Sequence, residues 1–227
     1  MIAALLFARM SSSRFPGKAL KEFHGTPLIL WVYQRAMHLN VDKILICTST
    51  DSSDDILCDF LAKNNILFFR GDLNNVAERA LQCCSHFSIS SFVRINGDSP
   101  FFSVVETNRA IQLLKRFDLD FVTNVKFGNF PYGYSCEVFS AQLLNQYLKN
   151  FNESEKEHIT SYFYKNISNF SFCVIKNTLQ NIKSFRYTLD ETVDVNFISR
   201  LLHNSIGSPV ISLNELTQLS KDVLPQC

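Results

Sequence analysis

The chain has 227 residues, of which 46% are hydrophobic, and its formal net charge at pH 7 is +1. This size supports one packed domain over residues 1–227, and the balanced charge argues against nucleic acid or an anionic membrane as a partner. The seven cysteines contain no Cys-x-x-Cys pair, so we expect reduced thiols in the cytoplasm instead of a zinc site or a disulfide framework. No apolar run approaches the roughly 20 residues of a membrane span.

The amino-terminal segment combines an apolar run with a basic loop. Residues 2–8 read IAALLFA, which is typical of a buried strand, and residues 9–18 read RMSSSRFPGK. Small residues let backbone N–H groups approach oxygens closely, while the arginine forks and the lysine point charge neutralise anions. The pattern therefore predicts a strand followed by a polyphosphate-binding loop. It is not a P-loop, because the string Gly-x-x-x-x-Gly-Lys-Ser/Thr is missing.

Strands and helices then alternate as far as residue 125. Apolar runs predict strands over residues 43–48, 66–69, 92–95 and 120–125. Helices are predicted between them, with first-turn or capping residues at Pro27, Ser52, Asn74 and Ser103. Such alternation is typical of an α/β fold with a mainly parallel mixed sheet between helices, and ligands bind beyond the carboxyl ends of its strands. The loops after the first four strands are therefore expected to form one site.

The second half of the chain is less regular. Strands are predicted over residues 135–139, 170–175 and 185–190. Helices are predicted over residues 143–149, 158–166 and 196–203.

Two carboxylates stand at the ends of predicted strands. Asp98 follows the strand over residues 92–95, and Asp190 ends the strand over residues 185–190. Polyphosphate chemistry requires Mg²⁺, which prefers carboxylate oxygens and keeps room for phosphate oxygens and water. One such aspartate is as often a turn or helix cap, but the pair beside a basic loop predicts a magnesium site. Asp194 is left open as a third ligand.

Other polar groups carry less information. Glu157 and His158 offer a substrate contact, but the residues alone favour an ordinary exposed helix start. No spacing assembles a Ser-His-Asp or Cys-His set for nucleophilic catalysis.

The order of these segments resembles a known family. Residues 8–20, ARMSSSRFPGKAL, and residues 25–28, GTPL, are similar to the cytidylyltransferases that activate acidic sugars, the synthetases of CMP-Kdo and CMP-sialic acid. The pattern is most similar to the spore-coat polysaccharide biosynthesis branch of that family. Further supporting segments, in order within residues 1–200, are 69–71, 93–100, 157–160 and 186–190 with Asp194.

The resemblance implies a GT-A-like nucleotide-diphospho-sugar transferase fold. It implies that Asp98 and Asp190 hold Mg²⁺. From their charges, we expect Lys18 and Arg14 to stabilise the departing pyrophosphate as catalytic residues. The residues implied to surround CTP are Arg9, Ser11, Ser12, Ser13, Arg14, Lys18, Arg70 and Arg79, and those implied to contact the sugar are Glu157 and His158.

The expected reaction transfers CMP from CTP to a 2-keto-3-deoxy sugar acid for surface polysaccharide biosynthesis, in a homodimer formed through residues near 126–185. The sequence departs from its branch at Asn75, Asn96 and Ser99, where Asp, Thr and Cys are usual. The exact sugar acid, and CTP over another nucleotide, therefore stay open. One alternative is a GT-A glycosyltransferase that consumes a nucleotide sugar, against which the basic loop argues. Another is a non-catalytic nucleotide-binding relative, against which the retained charged residues argue.

Overall fold

The computed structural model describes residues 1–179, 182–208 and 210–223. The strands are β1 Ile2–Phe7, β2 Glu22–Phe23, β3 Thr26–Pro27, β4 Lys43–Ser49, β5 Phe68–Gly71, β6 Ser91–Asn96, β7 Phe121–Thr123, β8 Glu137–Ser140 and β9 Phe172–Val174. The α-helices are α1 Leu28–Ala36, α2 Asp55–Lys63, α3 Val76–His86, α4 Val104–Phe117, α5 Ala141–Tyr147, α6 Glu153–Glu157, α7 Ser161–Lys165, α8 Asp194–Asn204 and α9 Leu213–Val223. No helix within these ranges is both long enough and apolar enough to cross a membrane.

One mixed sheet organises the described residues, with seven strands in the order β5-β4-β1-β6-β8-β7-β9. Strands β5, β4, β1 and β6 are parallel, β8 is antiparallel to β6 and β7, and β9 is parallel to β7. Strands β2 and β3 form a separate antiparallel ribbon, closed by His24 and Gly25. Both turn residues have positive φ, as a two-residue hairpin turn requires. The predicted α/β class with a mainly parallel mixed sheet is confirmed.

The two faces of the sheet pack against different helices. Along β1, Ile2, Ala4 and Leu6 belong to the apolar core beneath α1, α2 and α4. On the same strand, Ala3 and Leu5 face the core beneath α3, α5 and α7, as the two-residue period of a strand requires. Helices α8 and α9 enclose a third apolar cluster. These layers fix the strand ends, from which the polar loops emerge.

Two of the predicted helix starts are displaced by one residue. Ser103 caps α4 as predicted, since its hydroxyl accepts a backbone hydrogen bond at 3.1 Å. Asn75 caps α3 in place of Asn74, and Asp51 opens the turn before α2 in place of Ser52. In both cases the neighbouring side chain is the one that accepts the N–H group of the first turn.

The prediction of a strand over residues 185–190 is wrong. The segment lies beside two loops instead of a neighbouring strand, because Tyr187 N donates to Tyr132 O at 2.8 Å and Leu189 N donates to Asp98 O at 2.9 Å. The loops thus satisfy backbone groups that a sheet would otherwise pair. This arrangement holds the end of the segment against the loop after β6.

A buried carboxylate fixes the beginning of the basic loop. Asp54 is fully buried and accepts hydrogen bonds from Met10 N at 2.6 Å, Thr48 Oγ1 at 2.9 Å and Ser49 N at 3.0 Å. It thereby ties the loop after β1 to the end of β4.

We expect Asp54→Ala to lower the free energy of unfolding by about 2–4 kcal/mol, because several buried donors lose their acceptor. Urea denaturation measures this change. Asp55→Ala is the matched control, since that neighbouring carboxylate is exposed and pairs with Arg70 at 2.7 Å. The control is expected to cost less than about 1 kcal/mol. Equal losses in the two variants would contradict the anchoring role of Asp54.

Candidate active site

A cleft of about 630 Å³ opens at the carboxyl ends of β1 and β6. Its walls come from the loops after these two strands, from residues 130–135 and 157–160, and from the segment that ends at Asp190. Ligands of α/β sheets bind at this edge, beyond the carboxyl ends of the parallel strands. The cleft therefore lies where the alternation of strands and helices predicts a site.

Lys18 lies between the two aspartates that the sequence singles out. Its Nζ is 2.6 Å from Asp98 Oδ2 and 3.8 Å from Asp190 Oδ1, and it donates to Leu189 O at 3.0 Å. Gly17, with φ of 76°, turns the chain just before this lysine, and Gly17 N donates to Met10 O at 2.9 Å. A left-handed residue is therefore what aims the ammonium group into the cleft. The structure brings all three charged groups together.

Asp190 is the most heavily engaged carboxylate of the cleft. Arg14 lies 3.0 Å from its Oδ1, while Arg186 at 2.9 Å and the Thr188 hydroxyl at 2.8 Å donate to its Oδ2. Burial opposes ionisation of this side chain, but the Thr188 hydrogen bond and the charges of Lys18 and Arg14 together lower its pKa below the ordinary value. Asp190 is therefore an ionised carboxylate surrounded by positively charged side chains.

Asp194 supports the Asp190 backbone. Its Oδ2 accepts hydrogen bonds from Asp190 N at 2.9 Å and from Glu191 N at 2.8 Å, and it is not among the residues that line the cleft. This geometry makes Asp194 a positioning residue at the start of α8.

The two aspartates are suitable donors for Mg²⁺. Asp98 and Asp190 present carboxylate oxygens around one ammonium group in the cleft. Mg²⁺ sites that process phosphates typically use one or two carboxylates and complete the shell with phosphate oxygens and water. Within the described residues, no group of three or more His, Cys, Asp or Glu side chains forms a cage for a metal. The donor set thus fits an ion that is shared with a bound phosphate.

A second ion pair joins opposite walls of the cleft. Arg9 Nη2 is 2.9 Å from Glu157 Oε1, although 148 residues separate them in the chain. His158 and Thr160 line the cleft beside this pair. The structure therefore brings the predicted sugar-side residues next to the predicted nucleotide loop.

Arg79 is a buried cation at the cleft wall. It is 2% exposed, and its Nη1 donates to Asp72 O at 3.2 Å. No described carboxylate lies within ion-pair distance of it, and burial lowers its pKa. Gly71 makes this position possible, because a Cβ atom there would lie 2.8 Å from Arg79 Cγ. A buried guanidinium of this kind favours an anionic ligand.

Two predicted contacts lie outside the lining of the cleft, while Ser12 and Ser13 are part of it. Ser11 does not line the cleft. Arg70 is 2.7 Å from Asp55 Oδ1 and donates to Ser49 O at 2.7 Å, so it braces the loop after β4.

Several polar residues of the lining were not expected from the sequence. Among them are Arg94, Glu137 and Lys183. A detectable signal existed for Arg94 and Glu137, since each is a charged residue within a predicted apolar strand. Lys183 lies in an irregular segment, where periodicity gives no information about orientation.

The protein combines a mixed sheet, a basic loop after the first strand and two carboxylates that face this loop. This combination is the framework of a nucleoside-polyphosphate enzyme. Residues 3–219 match the cytidylyltransferase family profile, and the chain belongs to that family. The protein is accordingly a CTP-dependent nucleotidyltransferase.

Relatives and a solved structure agree with this assignment. The chain is 26% identical to the Bacillus subtilis spore coat polysaccharide biosynthesis protein SpsF, with 96% of this chain and 93% of that protein covered. It is 28% identical to a Fusobacterium nucleatum 3-deoxy-manno-octulosonate cytidylyltransferase, with 70% of each covered. The structure of a cytidylyltransferase from Leptospira borgpetersenii superposes with a TM-score of 0.91 at 24% identity, covering 100% of this chain and 98% of that one. The expected nucleotide-diphospho-sugar transferase fold is confirmed.

The lowered pKa of Asp190 predicts a specific acid response. Ionised Asp190 contributes stability above its unfolded-state pKa of about 3.9, and this contribution disappears as the pH falls through the lower folded-state value. Between pH 6 and pH 3, the wild-type protein is therefore expected to lose more unfolding free energy than Asp190→Asn. Urea denaturation at each pH measures the two slopes. Glu191→Gln, which changes an exposed neighbouring carboxylate, is the control, and identical slopes for Asp190→Asn and wild type would contradict the assignment.

Proposed function

We propose that the protein transfers CMP from CTP to the anomeric hydroxyl of a 2-keto-3-deoxy sugar acid, releasing pyrophosphate, in the biosynthesis of a surface polysaccharide. The observation that carries this proposal is the contact of Lys18 with both Asp98 and Asp190. In the proposed reaction, this contact joins the cation for the phosphates to the two carboxylates for Mg²⁺ at one point of the cleft. Phosphoryl transfer depends mainly on such positioning and charge neutralisation.

In the proposed reaction, the anomeric oxygen attacks the α-phosphorus of CTP in line. A new P–O bond forms, the bond from the α-phosphorus to the bridging oxygen breaks, and the hydroxyl proton passes to water in the cleft. Lys18 and Arg14 neutralise the charge that develops on the departing pyrophosphate. When bound, Mg²⁺ supplies positive charge at the α-phosphate and orients or acidifies the attacking hydroxyl.

The carboxylates and cations of the cleft exchange partners in this scheme. A triphosphate that reaches Lys18 and Arg14 competes with Asp98 and Asp190 for these cations. The two carboxylates are then the oxygen donors available to Mg²⁺. Arg79 supports the proposal as a further cation at the cleft wall, because its charge has no described carboxylate partner.

The names of the relatives support the acceptor class. SpsF is a spore coat polysaccharide biosynthesis protein, and the Fusobacterium nucleatum relative is a 3-deoxy-manno-octulosonate cytidylyltransferase. The proximity of Glu157 and His158 to Arg9 supports a sugar site adjoining the nucleotide site. Family membership favours nucleotidyl transfer over the glycosyltransferase and non-catalytic alternatives.

The proposal includes a cytoplasmic homodimer formed through residues 126–185. Exposed apolar side chains in or beside this range support it, since Phe127 is 64% and Tyr132 is 57% exposed, and β9 is an edge strand. Light scattering of the purified protein distinguishes a dimer from a monomer.

We predict that purified protein with CTP and Mg²⁺ releases pyrophosphate when it receives an acceptor from a panel of 2-keto-3-deoxy sugar acids. The panel comprises 3-deoxy-manno-octulosonate and the sialic, legionaminic and pseudaminic acids. Mass spectrometry of the product should show the matching CMP-sugar. ATP, GTP and UTP are the controls for the nucleotide. CTP binding without turnover of any acceptor would contradict the proposed function.

We predict that Lys18→Ala lowers kcat by about 10²–10³-fold, by analogy with the loss of one transition-state charge donor. Lys21→Ala is the matched control, because this nearby lysine is exposed and outside the cleft lining. Pyrophosphate release under saturating CTP measures both variants. Near-normal turnover by Lys18→Ala would remove this lysine from the mechanism.

A further inference from the structure

The floor of the cleft contains a buried ion pair that has no role in the proposed mechanism. Arg94 extends from β6 and Glu137 from β8, and both side chains line the cleft. Arg94 Nη1 is 2.6 Å from Glu137 Oε2. The Glu137 side chain is 3% exposed and that of Arg94 is 17% exposed, so the arginine is the member that reaches the cavity.

A chain of hydrogen bonds beneath the floor fixes Glu137. The Tyr164 hydroxyl donates to Glu137 Oε1 at 2.5 Å, and Tyr164 receives a hydrogen bond from Thr123 Oγ1 at 2.7 Å. Thr123 Oγ1 in turn accepts from Val125 N at 3.0 Å. Burial and the Glu137 charge raise the pKa of Tyr164, which keeps this hydroxyl a donor. Both carboxylate oxygens of Glu137 therefore have protein partners, and the orientation of Arg94 is set in advance.

The floor pair carries no net charge. Arg94 and Glu137 neutralise each other, whereas the buried Arg79 at the cleft wall has no described carboxylate within ion-pair distance. A neutral pair attracts an anion weakly, but its fixed N–H groups and oxygens form hydrogen bonds well. The matching part of a ligand is uncharged and carries hydroxyl groups.

The floor pair also lies close to the reacting centre. Asp98 follows Arg94 by four residues, and both side chains line the cleft. Burial opposes the charge of Arg94, but the charge and hydrogen bond of Glu137, with smaller contributions from Tyr164 and Asp98, raise its pKa overall. A ligand group that meets the pair thus lies in the same cleft as Lys18 and Asp98. A buried ion pair brings little net stability compared with apolar packing, so stability alone does not account for one at this site.

We infer that Arg94 and Glu137 determine acceptor specificity, by hydrogen-bonding hydroxyl groups on the uncharged carbon chain of the sugar acid. This inference rests on the proposed function, because it assigns the acceptor and not the nucleotide to the floor. The floor pair would then favour sugar acids whose carbon chain extends beyond the ring over shorter sugar acids with the same carboxylate and keto group. Sites that hydrogen-bond a substrate hydroxyl discriminate strongly against analogues that lack it.

The test compares a long acceptor with a short one in wild type and variants. The long acceptor is the eight- or nine-carbon acid that wild type converts, and the short one is the six-carbon 2-keto-3-deoxygluconate. Arg94→Met is expected to lower kcat/KM for the long acceptor by about 10²-fold and for the short one by less than about tenfold. The dissociation constant of CTP, measured by calorimetry, should stay within twofold of wild type.

Two further variants separate recognition from folding. Arg94→Lys keeps a cation beside Glu137 but removes the planar fork, so it is expected to lose the preference for the long acceptor while remaining folded. Tyr164→Phe removes one hydrogen bond to Glu137 without changing the cleft lining, and is expected to weaken the preference for the long acceptor less than Arg94→Met does, because the contact between Arg94 and Glu137 remains.

The outcomes distinguish this inference from the proposed function. Equal losses for long and short acceptors, or a preference that survives both Arg94 variants, would overturn the role of the floor pair alone. A tenfold weaker CTP affinity in Arg94→Met would also overturn it, because the pair would then contact the ribose. Absence of pyrophosphate release by wild type with every acceptor would overturn the proposed function, and the inference with it.

Discussion

The contact between Lys18 and two distant aspartates is the constraint on which the rest of the site depends. The ammonium group touches Asp98 directly and lies 3.8 Å from Asp190, yet these residues come from three separate parts of the chain. Each charge is partly buried, so each needs the others as partners. In the proposed reaction, a triphosphate and a divalent ion offer these residues alternative partners of the correct sign.

A few features of the fold bring Lys18, Asp98 and Asp190 together. Parallel strands β1 and β6 deliver the basic loop and Asp98 to the same sheet edge. The segment before Asp190 is pinned through backbone hydrogen bonds to Tyr132 and Asp98, and Asp194 fixes the turn that follows. Asp54 holds the start of the basic loop. The result is a cleft with charged side chains on its walls and a neutral ion pair, Arg94 with Glu137, at its floor.

The sequence predicted the sheet and the charged residues of the cleft better than the contacts that hold these residues in place. The apolar runs located β1, β4 and β6, because burial on both faces leaves a strong signal in a short segment. The segment before Asp190 was wrongly predicted to be a strand, because its alternating apolar residues pack into the third apolar cluster without joining the sheet. The pairing of Arg94 with Glu137 depends on which strands are neighbours, and the position of Arg79 depends on helix packing over Gly71. Neither relation is encoded in local sequence.

The most direct test of the central claim is a crystal structure with CTP and Mn²⁺, which substitutes for Mg²⁺ and is located by its anomalous scattering. We expect Lys18 Nζ to contact a phosphate oxygen and the Mn²⁺ peak to lie between the Asp98 and Asp190 carboxylates and the α-phosphate. A triphosphate bound away from Lys18, or a metal peak that neither aspartate approaches, would contradict it.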